Sequence, residues 1–289
     1  MPPAPSGFEV TDRIRTAVIT AFFSVDSLYD KLVLKGGNAL RLVYEIQDRT
    51  SLDLDFSLDG DFPDFDQARD SLFHALRDRL DSAGFHLFDE SLKRRPPRAT
   101  GTWGGYQLEF KVIGKEAYER LGRDMAQLRR NAMVLNAAQI RIWTAQISRF
   151  EFCEGKVQAE IDHQAIYVYT PEMIVIEKLR ALCQQMPEYP HRGHPAPRAR
   201  DFYDIYGVLQ SLILAENLKT PESIQLARAI FGAKEVPLSF LPRIRETRDF
   251  HALDWPDVEQ SILGRRYPFD VYFDFVVHLV EELEHLWVV

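Results

Sequence analysis

Leu32-Val33-Leu34-Lys35-Gly36-Gly37-Asn38-Ala39-Leu40, and after it Ser51-Leu52-Asp53-Leu54-Asp55-Phe56-Ser57, decide the fold by their spacing. The apolar run 32–34 reads as a short strand that ends at Lys35-Gly36-Gly37. Asn38 opens a helical pattern whose apolar face is Leu40, Val43 and Tyr44. From Ser51 to Leu58 the residues alternate as a strand does: Leu52, Leu54 and Phe56 face one way for burial, Asp53 and Asp55 the other. Two carboxylates held side by side repel unless a cation sits between them. Mg²⁺ takes such oxygens and keeps its other positions for water and substrate phosphates. A Gly-Gly turn lets backbone N–H groups come close to a phosphate at the start of the next helix. An isolated Asp-x-Asp or Gly-Gly is common on surfaces. Strand, Gly-Gly turn, helix and acid pair together point to a metal–nucleotide site.

Outward from that core, Val10 to Leu32 and Asp66 to Ala83 have helical periodicity, the second through Leu72, Phe73, Leu76 and Leu80. Tyr106 to Ile113, Gln139 to Phe152 and Val157 to Tyr169 read as strand material. After Pro171 the chain turns helical. Pro171 to Gln185 is one helix with proline in its first turn, and Arg200 to Leu214 is another. Between them the prolines at 187, 190, 195 and 197 mark a loop. The expected organisation is an α/β region over residues 1–170 and a helical region over 171–289, an α+β chain with the helical part completing the active-site cleft.

No run approaches 18 apolar residues, so a membrane span is not expected, and the N-terminus has no signal-peptide pattern. Cys153 and Cys183 match no metal or disulfide framework and read as buried small hydrophobes, so a cytoplasmic location is expected. His191 and His194 stand in the proline-rich loop, which does not fix ligand geometry. The 289 residues carry 43 acids and 35 bases, a formal charge of -8. That total speaks against nucleic acid only weakly, because a local field decides binding. Asp53 to Glu90 holds 11 acids and 3 bases; Ser91 to Arg130 holds 10 bases and 4 acids. The basic window, with Lys93-Arg94-Arg95 and Arg98, and the pair Arg198 and Arg200, are candidates for holding RNA. For Trp103 and Tyr106, core packing is preferred over stacking on a base. In the helical half, Lys178 lies along the apolar stripe of Ile174, Val175, Leu179 and Leu182, placed either to snorkel or to reach a buried anion. Asp201, in the first turn of the next helix, either favours that terminus or serves a site.

The runs LKGGNALRLVYEIQDRTSLDLDFSL, YTPEMIVIEKLRALCQQ and RARDFYDIY together resemble the AbiEii/AbiGii-type toxins, which include MenT-like toxins, of the DNA polymerase β-like nucleotidyltransferase superfamily. The resemblance runs from about residue 33 to 210. It implies a polymerase-β-like mixed sheet with flanking helices, followed by a helical domain. It further implies use of a nucleoside triphosphate with Mg²⁺ (Mn²⁺ as the alternative), an acceptor such as the 3′ end of tRNA, and a cognate antitoxin. By position, Asp53 and Asp55 fall on the metal-binding acid pair, and Lys35, Gly36, Gly37 and Asn38 on the phosphate-binding turn. Asn38 stands where the superfamily has serine. Arg49 and Ser51 match the R-x-S run before the acids, Lys178 the lysine that contacts triphosphate, and Asp201 the downstream acid, which orients either Lys178 or the acceptor. Glu109 is the first choice for a third metal carboxylate, with Asp162 and Glu151 as alternatives. In IRIWTAQISRFEF the family pattern has an acid before Ile-Ser, where this chain has Gln146. Two other functions stay open at this point: transfer to a small-molecule hydroxyl, and an inactive family member that acts by binding protein.

Overall fold

The computed structural model describes residues 7–46, 53–100, 103–135, 139–191, 194–211 and 216–288. In chain order the first half contains α1 (Gly7–Phe23), α2 (Asp26–Tyr29), β1 (Leu32–Lys35), α3 (Gly36–Leu42), β2 (Leu54–Leu58), α4 (Phe65–Ser82), β3 (Phe85–Thr100), β4 (Trp103–Gly114), α5 (Lys115–Leu121), α6 (Met125–Asn131), β5 (Trp143–Ser148), β6 (Val157–Ile161) and β7 (Gln164–Val168). The second half is helical: α7 (Pro171–Cys183), α8 (Ala199–Ser211), α9 (Pro221–Gly232), α10 (Arg248–His251), α11 (Trp255–Ser261) and α12 (Phe269–Glu282), with short 3₁₀ turns between them. The α+β expectation holds. Two compact units divide the chain: Met1–Asn38, Leu52–Phe150 and Val157–Val168 form one, and Ala39–Ser51, Glu151–Lys156 and Tyr169–Val289 the other.

The first unit is built on a seven-stranded sheet in the order β3-β4-β5-β2-β1-β7-β6. It is mixed: β2 runs antiparallel to β1 and parallel to β5, and β1 runs parallel to β7. Leu54, Phe56 and Leu58 of β2 are buried, as are Leu108 and Phe110 of β4 and Ala145 and Ile147 of β5. Phe22 of α1 stacks on Phe56 with ring centroids 4.5 Å apart. Burial of one such ring stabilises the unit by about 1.5–3 kcal/mol. The opposite face of the same strands is polar, with Asp55 and Ser57 on β2, Thr144 and Gln146 on β5, and Gln107 and Glu109 on β4. At Gly105 a Cβ would come within 2.1 Å of the Ile147 carbonyl oxygen, so only glycine lets β4 approach β5 there.

Several elements differ from the periodicity reading. The first helix stops at Phe23 instead of running to Leu32, and the Ser24 hydroxyl donates to the Ala21 carbonyl at 2.9 Å where it ends. Residues 157–169 form a hairpin, because Asp162 and His163 take positive φ values of 49° and 61°, the pattern of a two-residue primed turn. Residues 85–100, which carry Lys93-Arg94-Arg95 and to which periodicity assigns no element, form edge strand β3. Pro96 and Pro97 are tolerated there because an edge strand has one side free of ladder bonds. Both cysteines are buried and free, as expected, and burial pushes the Cys183 thiol far up. Among the described residues no helix is long and apolar enough to cross a membrane.

In the second unit, Phe202 of α8 packs on Phe269 and Phe273 of α12 at 5.4 and 5.3 Å. Arg180 of α7 bonds Glu151 at 3.2 Å and Lys234 lies 3.4 Å from Glu151, which ties the segment 151–156 to α7 and to the turn after α9. The start of α8 is held from the side: Arg198 N–H donates to His251 Nδ1 at 3.1 Å, and Ala199 N–H donates to Asp254 Oδ1 at 3.0 Å. That bond puts the His251 proton on Nε2, which is buried without a partner among the described residues. Burial lowers the His251 pKa to about 4; Asp201 opposes the shift and Arg198 adds to it.

A base whose folded pKa lies below its unfolded one takes up its proton more readily when unfolded. Its contribution is therefore intact above about pH 6.5 and is lost as pH falls toward 4. Between pH 7 and 4.5 the wild type is expected to lose roughly 2–3 kcal/mol more than His251→Asn, which keeps an acceptor but does not titrate. Urea midpoints at the two pH values measure this. Equal losses would contradict it.

Candidate active site

Strand β1 ends at Lys35, directly opposite Asp55 on β2. The chain then turns at Gly36, whose φ of +69° is left-handed. A Cβ on Gly36 would stand 2.9 Å from Asp55 Oδ2. Glycine is thus required twice at this position, for the turn and for the approach of a carboxylate. Two residues later Asn38 is buried, and its Nδ2 donates to the Asp53 carbonyl at 2.6 Å. Asp53 sits one residue before β2 begins at Leu54, so the Asn38 amide and not strand pairing fixes its backbone. Asn38 Oδ1 is buried with no partner among the described residues. The residues expected to share the phosphate turn, Lys35, Gly36, Gly37 and Asn38, are therefore contiguous with the acid pair. Arg49 and Ser51 lie outside the described residues.

Glu109 shares the polar face but not the strand. It pairs with Thr144 on β5, which in turn neighbours β2, and Gln107 Nε2 donates to its carboxylate at 2.7 Å. Two strands from β2 and held by its own neighbour, Glu109 is not gathered with the pair. The alternatives are not either: Asp162 is exposed in the β6–β7 turn, and Glu151 is committed to Arg180 and Lys234. Among the described residues no three His, Cys, Asp or Glu side chains form a group able to hold a metal. Gln146 stands in register with Asp55 across the β2–β5 pair.

Lys178, read from sequence as a stripe residue, is buried on α7 and donates to Asp201 Oδ1 at 2.9 Å and to Asp204 Oδ2 at 2.6 Å. Arg198 Nε donates to the second oxygen of Asp201. Burial by itself would raise the Asp201 pKa, but Arg198, Lys178 and Arg200 outweigh it and hold the carboxyl well below the usual range. Asp201 thus bonds both Lys178 and Arg198. Asp204 was missed because Phe202, Ile205 and Leu209 mark the buried face of α8; its signal was the i,i+3 spacing from Asp201, which puts both acids on one side of a helix. An ammonium has three N–H donors, and the two aspartates use two of them.

Residues 18–274 match the family model for the nucleotidyl transferase AbiEii toxin of type IV toxin–antitoxin systems. The chain belongs to this family. It is accordingly a nucleotidyltransferase of toxin–antitoxin type, as the resemblance of its motifs implies. Among solved structures it is similar to JHP933 from Helicobacter pylori, with 18% identity over 98% of this chain and 94% of that one and a TM-score of 0.50, which bears on the fold alone. It is also similar to MenT4, a nucleotidyltransferase toxin from Mycobacterium tuberculosis H37Rv, with 16% identity over 96% and 93% of the two chains and a TM-score of 0.38. No curated protein matches the chain.

Two substitutions separate placement from stability in this AbiEii-family chain. Gly36→Ala is expected to lower nucleotidyl transfer at least about tenfold, because the added methyl displaces the Asp55 carboxylate. Gly60→Ala is the control: its φ is +76°, but nothing lies within 4 Å of its Cβ. It should cost stability by about 1–2 kcal/mol while activity is kept. Equal activity in the two variants would refute the placement role of Gly36. Lys178→Ala leaves two carboxylates buried without their cation and is expected to destabilise by about 3–5 kcal/mol in urea unfolding. Adding Asp204→Asn should recover part of that loss.

Proposed function

We propose that the chain transfers a nucleotide from a nucleoside triphosphate to the terminal hydroxyl of an RNA acceptor, the 3′ end of tRNA, with Mg²⁺ held by Asp53 and Asp55. The observation that carries this reading is the Asp55 carboxylate lying where a Cβ on Gly36 would stand 2.9 Å from it, beside a buried Asn38 oxygen that has no partner among the described residues. An all-oxygen donor set of this kind suits a hard divalent cation, and one or two carboxylates suffice because substrate phosphates and water complete the shell. When bound, Mg²⁺ offsets triphosphate charge and lowers the barrier to attack by the acceptor hydroxyl.

The residues of the chain then have separable tasks. Asp53 and Asp55 hold the cation, and Gly36 and Gly37 let the backbone come close to the phosphates. Asn38 holds the Asp53 backbone through one amide proton and keeps the other for a phosphate oxygen. Lys178, fixed by Asp201 and Asp204, offers its third N–H to the leaving pyrophosphate, where charge develops during transfer. A cognate antitoxin is the proposed protein partner, and the cytoplasm, with its nucleotides and tRNA, the proposed compartment.

The test is incubation of the protein with each α-labelled nucleoside triphosphate, Mg²⁺ and total RNA, beside Asp53→Ala/Asp55→Ala and a chelator control. Label is expected in tRNA only with wild type and free metal. Absence of label in RNA with every nucleotide overturns the reading; transfer to a small hydroxyl compound instead would redirect it to that acceptor class.

A further inference from the structure

Within the first unit, the strand register extends the acid pair across the sheet. Asp55 pairs with Gln146 on β5, Gln146 with Gln107 on β4, and Gln107 with Lys93 on edge strand β3. Paired residues share a face, so these four side chains form one row. One step along, Gly105 pairs with Arg95, which places a second base on the same face. The intervening Arg94 belongs to the other face, where its guanidinium lies over the Phe65 ring at 5.3 Å. Burial agrees: Lys93, Arg95 and Gln146 are exposed, whereas Leu92 and Leu108 are buried.

Three other bases of the basic window are committed to acids. Lys111 and Arg129 are paired with Asp89 at 3.0 and 2.7 Å, and Lys115 with Asp81 at 2.7 Å. Among the described residues neither Lys93 nor Arg95 has an acidic partner. Trp103, expected in the core, is 47% exposed at the end of the same β3–β4 hairpin, whereas Tyr106 is buried as expected. Glu109 is the acid on this face of β4, and Gln107 engages it.

We infer that this row is the track of the RNA acceptor strand: its 3′ end lies at Asp53 and Asp55, Gln146 and Gln107 bond the first nucleotides, and Lys93 and Arg95 hold backbone phosphates upstream. The inference rests on the RNA reading above and adds to it the surface and direction of approach. Three strand spacings separate β2 from β3, about 14 Å, which is the length of about four stacked nucleotides. Amide side chains donate and accept along the strand, and Trp103 offers an aromatic face on which a base stacks. Lys93 and Arg95 touch no reacting atom in this arrangement; they bind.

The test compares Lys93→Ala/Arg95→Ala with Lys115→Ala/Arg129→Ala, which removes the same two charges from residues already paired. Binding of a 12-nucleotide single-stranded RNA with a 5′ fluorophore is followed by anisotropy between 50 and 200 mM salt, and transfer to the same RNA is assayed in parallel. Loss of two phosphate contacts should flatten the slope of log affinity against log salt by about 1.4 in the first variant alone. Its KM for RNA should rise with kcat within about twofold of wild type, as for lost uniform binding. Equal slopes in wild type and the first variant, or equal flattening in both variants, would overturn the track while leaving RNA transfer by the wild type standing. If the wild type itself moves no nucleotide to RNA, the acceptor reading fails first and the track with it.

Discussion

The distance between a missing side chain and a carboxylate governs the first unit. Because Gly36 has no Cβ, the turn after β1 can lie against Asp55, and a methyl there would stand 2.9 Å from its Oδ2. Two residues on, the Asn38 amide reaches the Asp53 carbonyl at 2.6 Å. One three-residue stretch thus sets both acids: Gly36 by what it leaves open and Asn38 by what it bonds. Strand alternation alone would leave Asp53 unsupported, since β2 starts at Leu54. An acid pair positioned from a tight turn is held before any ligand arrives, and preorganisation of this kind is where binding sites gain their precision.

The second unit applies a different constraint, the cost of burying charge. Lys178, Asp201, Asp204 and Arg198 are two cations and two anions, and a second cluster of four around Arg180 sets Glu151 and Glu177 against Arg180 and Lys234. Burying ions seldom stabilises a fold relative to apolar packing, whereas removing one partner is severe. What such clusters supply is placement. The Arg180 cluster fixes the segment 151–156 onto α7. The Lys178 cluster fixes one ammonium so that a single donor remains, and its far end is secured through Arg198, whose N–H is held by His251.

The parts legible in the sequence were those where one local rule acts. Apolar alternation around Asp55, the glycine pair and the proline at the start of α7 each announce their element without help from distant residues. Edge strand β3 was hidden because Lys93-Arg94-Arg95-Pro96-Pro97 shows no apolar alternation, and Arg94 covers Phe65 with the guanidinium of a residue type normally assigned to solvent. Asp204 was hidden by the apolar residues beside it, and its partnership with Lys178 is 26 residues away. The engagement of Asn38 with Asp53 spans 15 residues and cannot be read from either position alone. Register across the sheet is a tertiary property: nothing in the chain order says that Gln146 stands opposite Asp55 and Glu109 does not.

That register gives the departure at Gln146 a physical meaning. A third carboxylate opposite Asp55 would add a negative charge to the polar face at the point where a nucleic-acid strand would cross it. Glutamine presents a donor as well as an acceptor there and removes that charge. Magnesium does not need the third acid, since water and phosphate oxygens fill its remaining positions. The formal charge of -8 is therefore a poor guide to this surface. The acids of the 53–90 stretch are spread over β2, a loop, α4 and the start of β3, while Lys93 and Arg95, on the edge of the face that carries Asp55, have no acidic partner among the described residues. For a strand of phosphates on that face, the local field is set by those two bases, the two amides between and the acids Asp55 and Glu109, and the total charge of the chain, screened beyond about 10 Å, hardly enters.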